Sequence, residues 1–345
     1  MSTSDGSRSL PIGASTTRPL WIDWGRHMRT HSMVRQLGAE LVEVRPGGGR
    51  LVRYARSLAQ TLRAIHDRRP EVVIATNPSI VLGYALLLLR PFYGFKLVSD
   101  AHYVGVQTIV KQPAMQWLLD RHNCAVDLVI VTNEGHATYL EDLGARAFIC
   151  PDPLPALDVP ARLPASQEKS VLLICSFDSD EPYLTAFDAF KDLHVHGYRL
   201  WVSGNYKRAG IDVAQYPWVR FLGFLSEDDY RQTLASCDVV MDLTTLENCL
   251  VCGAYEAIAM GKPLILSDTR ALRGYFGSAC VLTANTPDAI AANVRETFER
   301  LGPLGTQVRD WATQSRADMN DRIRELHRRF DKLAQPEPAG HGQAA

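Results

Sequence analysis

The sequence predicts an α/β protein of two doubly wound domains. Short apolar, β-branched runs at 72–75, 128–131, 171–175 and 200–203 alternate with helix-like segments, the rhythm of parallel strands joined by crossover helices. At 345 residues the chain exceeds the usual size of one core, and its 46% hydrophobic content is enough to fill two. Residues 151–170, PDPLPALDVPARLPASQEKS, carry five prolines in the first fourteen positions and can continue neither a helix nor a central strand. That segment reads as a linker (153–170) between a first domain at 18–152 and a second at 171–305. A ligand cleft is expected between them.

Taken in order, residues 1–17 are rich in Ser, Thr and Gly and predict a disordered tail, as does the Pro-, Gly-, Ala- and Gln-rich segment 335–345. No basic segment followed by an apolar core opens the chain, so no secretion signal is expected. A strand at 20–24 meets a turn at Gly25, which permits close backbone approach, and then a helix beginning near Arg29. Arg26, Arg29 and His31 gather at that helix start although the helix dipole disfavours cations there, which makes them candidates for contact with an anion. The next helix, 50–66, sets Leu51, Ala55, Leu58, Leu62 and Ile65 on one face and Arg53, Arg56 and Arg63 opposite. Two readings fit it: a helix packed on its sheet with solvated arginines, or a basic surface that docks on anionic lipid.

Net charge is only −1, yet ten arginines between Arg26 and Arg69 face just Glu40, Glu43 and Asp67. Nucleic acid is a poor partner for this charge, because no recognised module or aromatic and basic interleaving accompanies it. The longest apolar run, 80–89, is about half of what a bilayer span requires, so an integral protein is not expected. Residues 95–99 read as a buried strand, and Asp100-Ala101-His102 stand at its carboxyl end, the edge where open parallel sheets bind ligands. Histidine as a residue type titrates near neutral pH, which makes His102 a candidate base on a hydroxyl. Asp100 either orients that ring or takes the proton itself.

In the second half, an apolar strand at 239–243 leads through a polar turn to a helix carrying Glu256, then Gly261-Lys262-Pro263 and a strand at 264–266. Backbone N–H groups at 248–253, Gly253 among them, are candidates to receive phosphates, since a helix start has donors without partners. Glu256 is placed to accept both hydroxyls of a ribose. Lys207 and Arg208, after the strand that ends at Ser203-Gly204, are candidate cations for a diphosphate. Seven cysteines occur as singles apart from Cys249 and Cys252, and without a second pair of ligand spacing they read as packing thiols of a reducing cytosol. The last long helical pattern is 306–334.

Two resemblances sharpen this reading. EAIAMGKPLILSD (256–268) is similar to the EAMACGKPVVASD-type signature of GT-B glycosyltransferases of family 4, and 219–243, with Gly223, resembles the strand, glycine and helix that lead to it. This implies a GT-B fold of two Rossmann-like domains, a nucleotide-sugar donor on the second, ribose binding by Glu256, and a C-terminal helix that returns to the first. The family usually carries another glutamate eight positions earlier. Here Asn248 stands there with Glu247 one step before it, so that either Glu247 reaches the sugar through a shifted loop or an amide does.

The blocks at 23–44, 76–105 and 172–190 resemble, in order, three blocks of chitobiosyldiphosphodolichol beta-mannosyltransferases. That likeness implies GDP-mannose, inversion to a beta linkage, a polyprenyl-diphosphate-linked acceptor met by Gly25, Arg26, Arg29 and His31, and a peripheral cytoplasmic enzyme. Asp178-Ser179-Asp180 falls within the third block rather than forming a metal-binding DxD pair, so no cofactor and no metal are expected. The rival readings are a retaining family 4 enzyme of exopolysaccharide or capsule synthesis and an inactive GT-B scaffold.

Overall fold

The computed structural model describes residues 17–25, 28–77, 79–109, 112–157 and 168–335. Most of both expected tails, and Arg26, lie outside the described residues; Thr17 is buried, and its N–H donates to Asp331. The chain divides into two compact units, one of residues 1–152 with 318–345 and one of 153–317.

The first unit runs β1 (Leu20–Asp23), α1 (Met28–Leu37), β2 (Glu40–Glu43), α2 (Arg50–Arg68), β3 (Val72–Asn77), α3 (Ile80–Tyr93), β4 (Lys96–Ala101), α4 (Tyr103–Val106), α5 (Pro113–Ala125), β5 (Leu128–Val131), α6 (Glu134–Asp142) and β6 (Ala147–Ile149). Its six strands are all parallel in the order β2-β1-β3-β4-β5-β6. Strands buried on both faces must be apolar at every position, and alternate residues serve opposite cores. Leu20, Ile22, Val73, Leu97 and Val129 meet Ile65, Leu82 and Leu140 on one side. Trp21, Ile74, Val98 and Ile130 meet Met33, Leu37, Met319, Ile323 and Phe330 on the other.

The second unit runs β7 (Lys169–Leu173), α7 (Tyr183–Leu193), β8 (Tyr198–Ser203), β9 (Val219–Gly223), α8 (Glu227–Ser236), β10 (Val239–Asp242), α9 (Cys252–Ala259), β11 (Leu264–Ser267), α10 (Arg270–Phe276), β12 (Val281–Thr283), α11 (Pro287–Glu299) and the first part of α12 (Leu301–Ala334). Its six parallel strands take the order β12-β11-β10-β7-β8-β9. Phe187, Phe190, Ile290 and Val294 cover one face, while Ala254, Ile258, Phe276 and Val308 cover the other. Gly204 marks a close crossing of loops, since a β-carbon there would lie 1.8 Å from the Cys175 carbonyl oxygen.

Three expectations need correction. The last helix begins at Leu301, not at 306, and its residues as far as 317 belong to the second unit, where Val308 and Ala312 join the core. The expected linker is shorter than 153–170, because Leu154 and Leu157 pack on the second unit's core and β7 opens at Lys169; 158–167 lie outside the described residues. Helix α2 is also turned from its predicted face. It buries Ser57, Thr61, Ala64 and Ile65 and leaves Leu51, Leu58 and Leu62 84%, 38% and 41% exposed. Thr61 offers the reason, for its small side chain accepts a 3.0 Å hydrogen bond from the Trp24 indole, a donor that needs a partner once half-buried.

Candidate functional site

In each sheet the strand order reverses once, between β1 and β3 and between β7 and β10, and open parallel sheets take ligands beyond the strand ends at such points. The candidate side chains of each unit lie at the carboxyl ends of its strands or in the segments that follow them.

In the first unit β4 carries Asp100 to the sheet edge with no exposed surface. Arg29 of α1 closes on it, with Nε 3.1 and 3.2 Å from the two carboxylate oxygens and Nη2 2.9 Å from Oδ1. The same guanidinium donates to the Cys150 carbonyl at 2.8 Å and pairs with Asp152. Burial alone would raise the Asp100 carboxyl, but Arg29 and the His102 ring together hold it well below the usual carboxylate range. His102 Nε2 lies 3.5 Å from Asp100 Oδ2, and the imidazole keeps 27% of its surface exposed.

This geometry divides the pair. Asp100 is fully buried and kept ionised by Arg29, whereas the His102 ring is partly exposed. Arg29, a candidate for a diphosphate by sequence, is instead enclosed: a buried arginine beside two carboxylates is held by them, and only 5% of it is exposed. His31 remains half-exposed with Nε2 2.9 Å from Glu43. The Gly25 N–H donates to Asp23 Oδ1 at 2.7 Å, and Thr30 donates to Asp23 Oδ2 at 3.0 Å, so a buried aspartate shapes the turn that carries Gly25.

In the second unit Asp242 ends β10 almost fully buried and accepts the Gly253 N–H at 2.9 Å. A β-carbon at 253 would lie 2.5 Å from that carboxylate oxygen and 2.6 Å from Ile174, so glycine is required for the approach. The Gly253 N–H expected to receive a phosphate is therefore occupied by Asp242. Burial first, and then the charge of Glu181, push the Asp242 carboxyl well above its ordinary range. Glu256, one turn into α9, accepts from the Tyr230 hydroxyl; burial raises its carboxyl and this hydrogen bond works against the rise.

Glu247 is exposed, and one of its carboxylate oxygens is engaged by α10. Its Oε2 accepts the Arg270 N–H at 2.9 Å and its carbonyl the Ala271 N–H at 3.0 Å, closing the start of α10, whose unpartnered amides favour a carboxylate. Asn248 sits half-buried in the same loop. Lys207 and Arg208 are exposed in the turn after β8, and no carboxylate pairs with either among the described residues. Gly223 adopts φ +73 at the end of β9, and its carbonyl accepts the Gly204 N–H at 2.9 Å, joining the two loop starts.

Glu181 and Asp180 organise the loops at this edge. Glu181 gathers the loop after β7, accepting from the Ser176 N–H at 3.0 Å, the Asp178 N–H at 2.9 Å and the Ser176 hydroxyl at 2.9 Å, with Phe177 held at φ +63. Asp180 accepts from Thr244 Oγ1 at 3.0 Å, and its carbonyl accepts the Thr245 N–H at 2.8 Å, fastening the loop after β7 to the loop after β10.

Residues 16–148 match the glycosyl transferase 4-like domain, and residues 168–300 match the glycosyl transferases group 1. The chain is a glycosyltransferase. Its two units have the GT-B fold, and among solved structures it is similar to a glycosyltransferase from Rickettsia africae ESF-5, at 11% identity and a TM-score of 0.71 over 93% of this chain and 100% of that one. It is also similar to sucrose-phosphate synthase from Thermosynechococcus elongatus, at 16% identity and a TM-score of 0.71, covering 91% and 99% of the two chains. HepE of Anabaena, solved with UDP-glucose, is similar at 14% identity and a TM-score of 0.65, covering 91% and 98%. No curated protein matches the sequence.

Within this glycosyltransferase the signal for Asp242 was legible as an acidic residue closing an apolar strand, the position that made Asp100 a candidate. Tyr230 gave no such signal. Its partner lies 26 residues away on another helix, a pairing that only packing creates.

Proposed function

We propose that this glycosyltransferase moves a hexose from a nucleotide diphosphate sugar to a hydroxyl of a lipid-linked glycan, with GDP-mannose as donor and inversion to a beta linkage. The observation that carries the reading is the pair of His102 and the buried, Arg29-held Asp100 at the ligand edge of the first unit. Single-displacement transfer needs one base. The acceptor oxygen attacks the anomeric carbon as the bond to the diphosphate breaks, and the hydroxyl proton passes to His102, whose charged form Asp100 stabilises. Gly25 and His31 would line the acceptor side.

On the donor side Glu256 would anchor the ribose, with Asn248 beside it. Lys207 and Arg208, exposed and without carboxylate partners among the described residues, would meet the diphosphate charge. Asp180 is already engaged by Thr244, which argues against a metal-binding role for that aspartate, and transfer is expected to persist in EDTA. A second reading, retaining transfer from UDP-glucose, draws support from the likeness to HepE.

A thermal-shift panel of GDP, UDP, ADP and their sugars tests the donor, because a ligand that binds only the folded state raises its melting temperature. GDP and GDP-mannose are expected to give the largest shifts. NMR of the product then decides the stereochemistry: an alpha linkage would overturn inversion, and binding without transfer to any acceptor would favour the scaffold.

A further inference from the structure

Like charges repel, so a cleft lined by one sign of charge draws in the opposite ion. At the edge of the first sheet where its strands begin, β4 opens at Lys96, β5 at Leu128 and β6 just after Arg146. The last turns of α12 border these strand starts, and a groove of about 1020 Å³ opens there, with Leu128 and Leu333 among its walls. Arg90, Lys96, Arg146, Arg328, Arg329 and Lys332 line it against two carboxylates, Asp127 and Glu325.

Both carboxylates are already engaged. Asp127 accepts from the Leu97 N–H at 2.8 Å and pairs with Arg90 at 3.2 Å, while Glu325 pairs with Arg328 at 3.0 Å and with Arg329 at 2.9 Å. Lys96, Arg146 and Lys332 have no carboxylate partner among the described residues. Helix dipoles explain part of this gathering, because they favour cations in the last turns of α3 and α12. They do not explain Lys96 and Arg146, which stand at strand starts, where the net dipole is small. Arg329 is also held in place, its guanidinium 4.7 Å from the centroid of the Phe148 ring. The groove is distinct from the candidate catalytic pair, since about 13 Å of β4 separates Lys96 from Asp100 at the opposite edge.

We propose that this groove binds a soluble anion carrying several phosphate groups. Lys96, Arg146 and Lys332 would meet charge that no carboxylate of the described residues neutralises, and Arg328 and Arg329 would add forked donors. Arginine matches two phosphate oxygens at once, lysine offers a mobile point charge, and the groove supplies both. Its volume exceeds what one oxyanion fills, which favours linked phosphates over a single one. The inference stands apart from the choice of donor and acceptor.

Isothermal titration of the full chain with inorganic tripolyphosphate tests it. Saturable binding is expected, tighter than that of orthophosphate and weaker as salt rises. Arg146→Gln with Lys332→Gln is expected to weaken it by about tenfold or more, and Arg146→Lys with Lys332→Arg to keep it. Both side chains are exposed, so melting temperatures without the anion should not move. A donor-side diphosphate site could also take the probe, so Lys207→Gln with Arg208→Gln is measured beside these variants and is expected to leave the binding that depends on Arg146 and Lys332 unchanged. The proposal fails if tripolyphosphate does not bind, or if the Arg146→Gln, Lys332→Gln variant binds it as the wild type does. Loss of all binding in the Lys207→Gln, Arg208→Gln variant would assign the anion to the donor side instead. Equal competition by sulfate at the same ionic strength would reduce the effect to screening and overturn it. Uptake by phosphatidylglycerol vesicles without tripolyphosphate binding would assign the cations to a lipid headgroup surface, which also overturns it.

Discussion

At the scale of single residues, the candidate site depends on buried carboxylates held in two opposite states. Asp100 is kept ionised by Arg29, so removing the guanidinium leaves a buried charge without its main partner. Arg29→Met is expected to cost about 3–5 kcal/mol in urea unfolding, and Arg29→Met with Asp100→Asn to recover part of it. Because the folded Asp100 carboxyl sits below its unfolded range, its contribution is complete above that range and is lost as the pH falls through it. Asp242 has the opposite sign. Its folded carboxyl is raised, so stability declines as the pH climbs from the unfolded carboxylate range toward the folded one, and Asp242→Asn should flatten that decline. Melting curves at a series of pH values above the unfolded carboxylate range measure it. For the chemistry, His102→Ala is expected to lower kcat by about 100-fold or more. Asp100→Asn should shift the pH dependence of kcat as well as its height, which a purely structural aspartate would not do.

At the scale of elements, local sequence predicted most strands closely. The runs at 72–75, 128–131 and 200–203 fall within β3, β5 and β8, since a doubly covered parallel strand must be apolar throughout and that demand is local. The facing of α2 was not local in this sense. Its leucine stripe satisfied the helical period, but the sheet beneath took the Ser57 and Thr61 side instead, where Trp24 needed an acceptor. Loop crossings were likewise hidden. Gly204→Ala places a methyl against the Cys175 carbonyl in a backbone of φ +105, and is expected to destabilise by more than about 2 kcal/mol in chemical denaturation.

At the scale of the whole molecule, each unit carries its own core, and α12 contributes to both. Phe330, fully buried on the first sheet, should cost about 3–5 kcal/mol when cut to alanine, whereas an exposed position of the same helix such as Arg316 should cost almost nothing. Acid should strain the first unit through His136 as well as Asp100. Burial lowers the His136 imidazole to about 4, so the fold holds it neutral; its contribution is present above the unfolded value and is lost as the pH falls toward 4. Each tenfold loss of proton affinity corresponds to about 1.4 kcal/mol, which puts the acid-sensitive contribution of this ring at about 3 kcal/mol. His136→Gln should therefore make the melting temperature less sensitive to acid, as read by calorimetry from neutral pH downward.

The sequence by itself determined the order of strands and helices, the sheet-edge positions of Asp100, His102 and Glu256, and the likeness to glycosyltransferases, because apolar runs, periods and motif spacings are written within a few residues. Tertiary structure decided which of the candidate groups are held by neighbours within the fold. Arg29 and Asp100 are 71 residues apart, Asp242 and Gly253 meet only because β10 ends beneath the start of α9, and the exposed Glu247 accepts from the first amide of α10. A buried carboxylate takes whatever donor the fold brings beside it, since leaving it unpaired costs more than any local preference supplies. That choice rests on strand order and packing, which no short stretch of sequence contains.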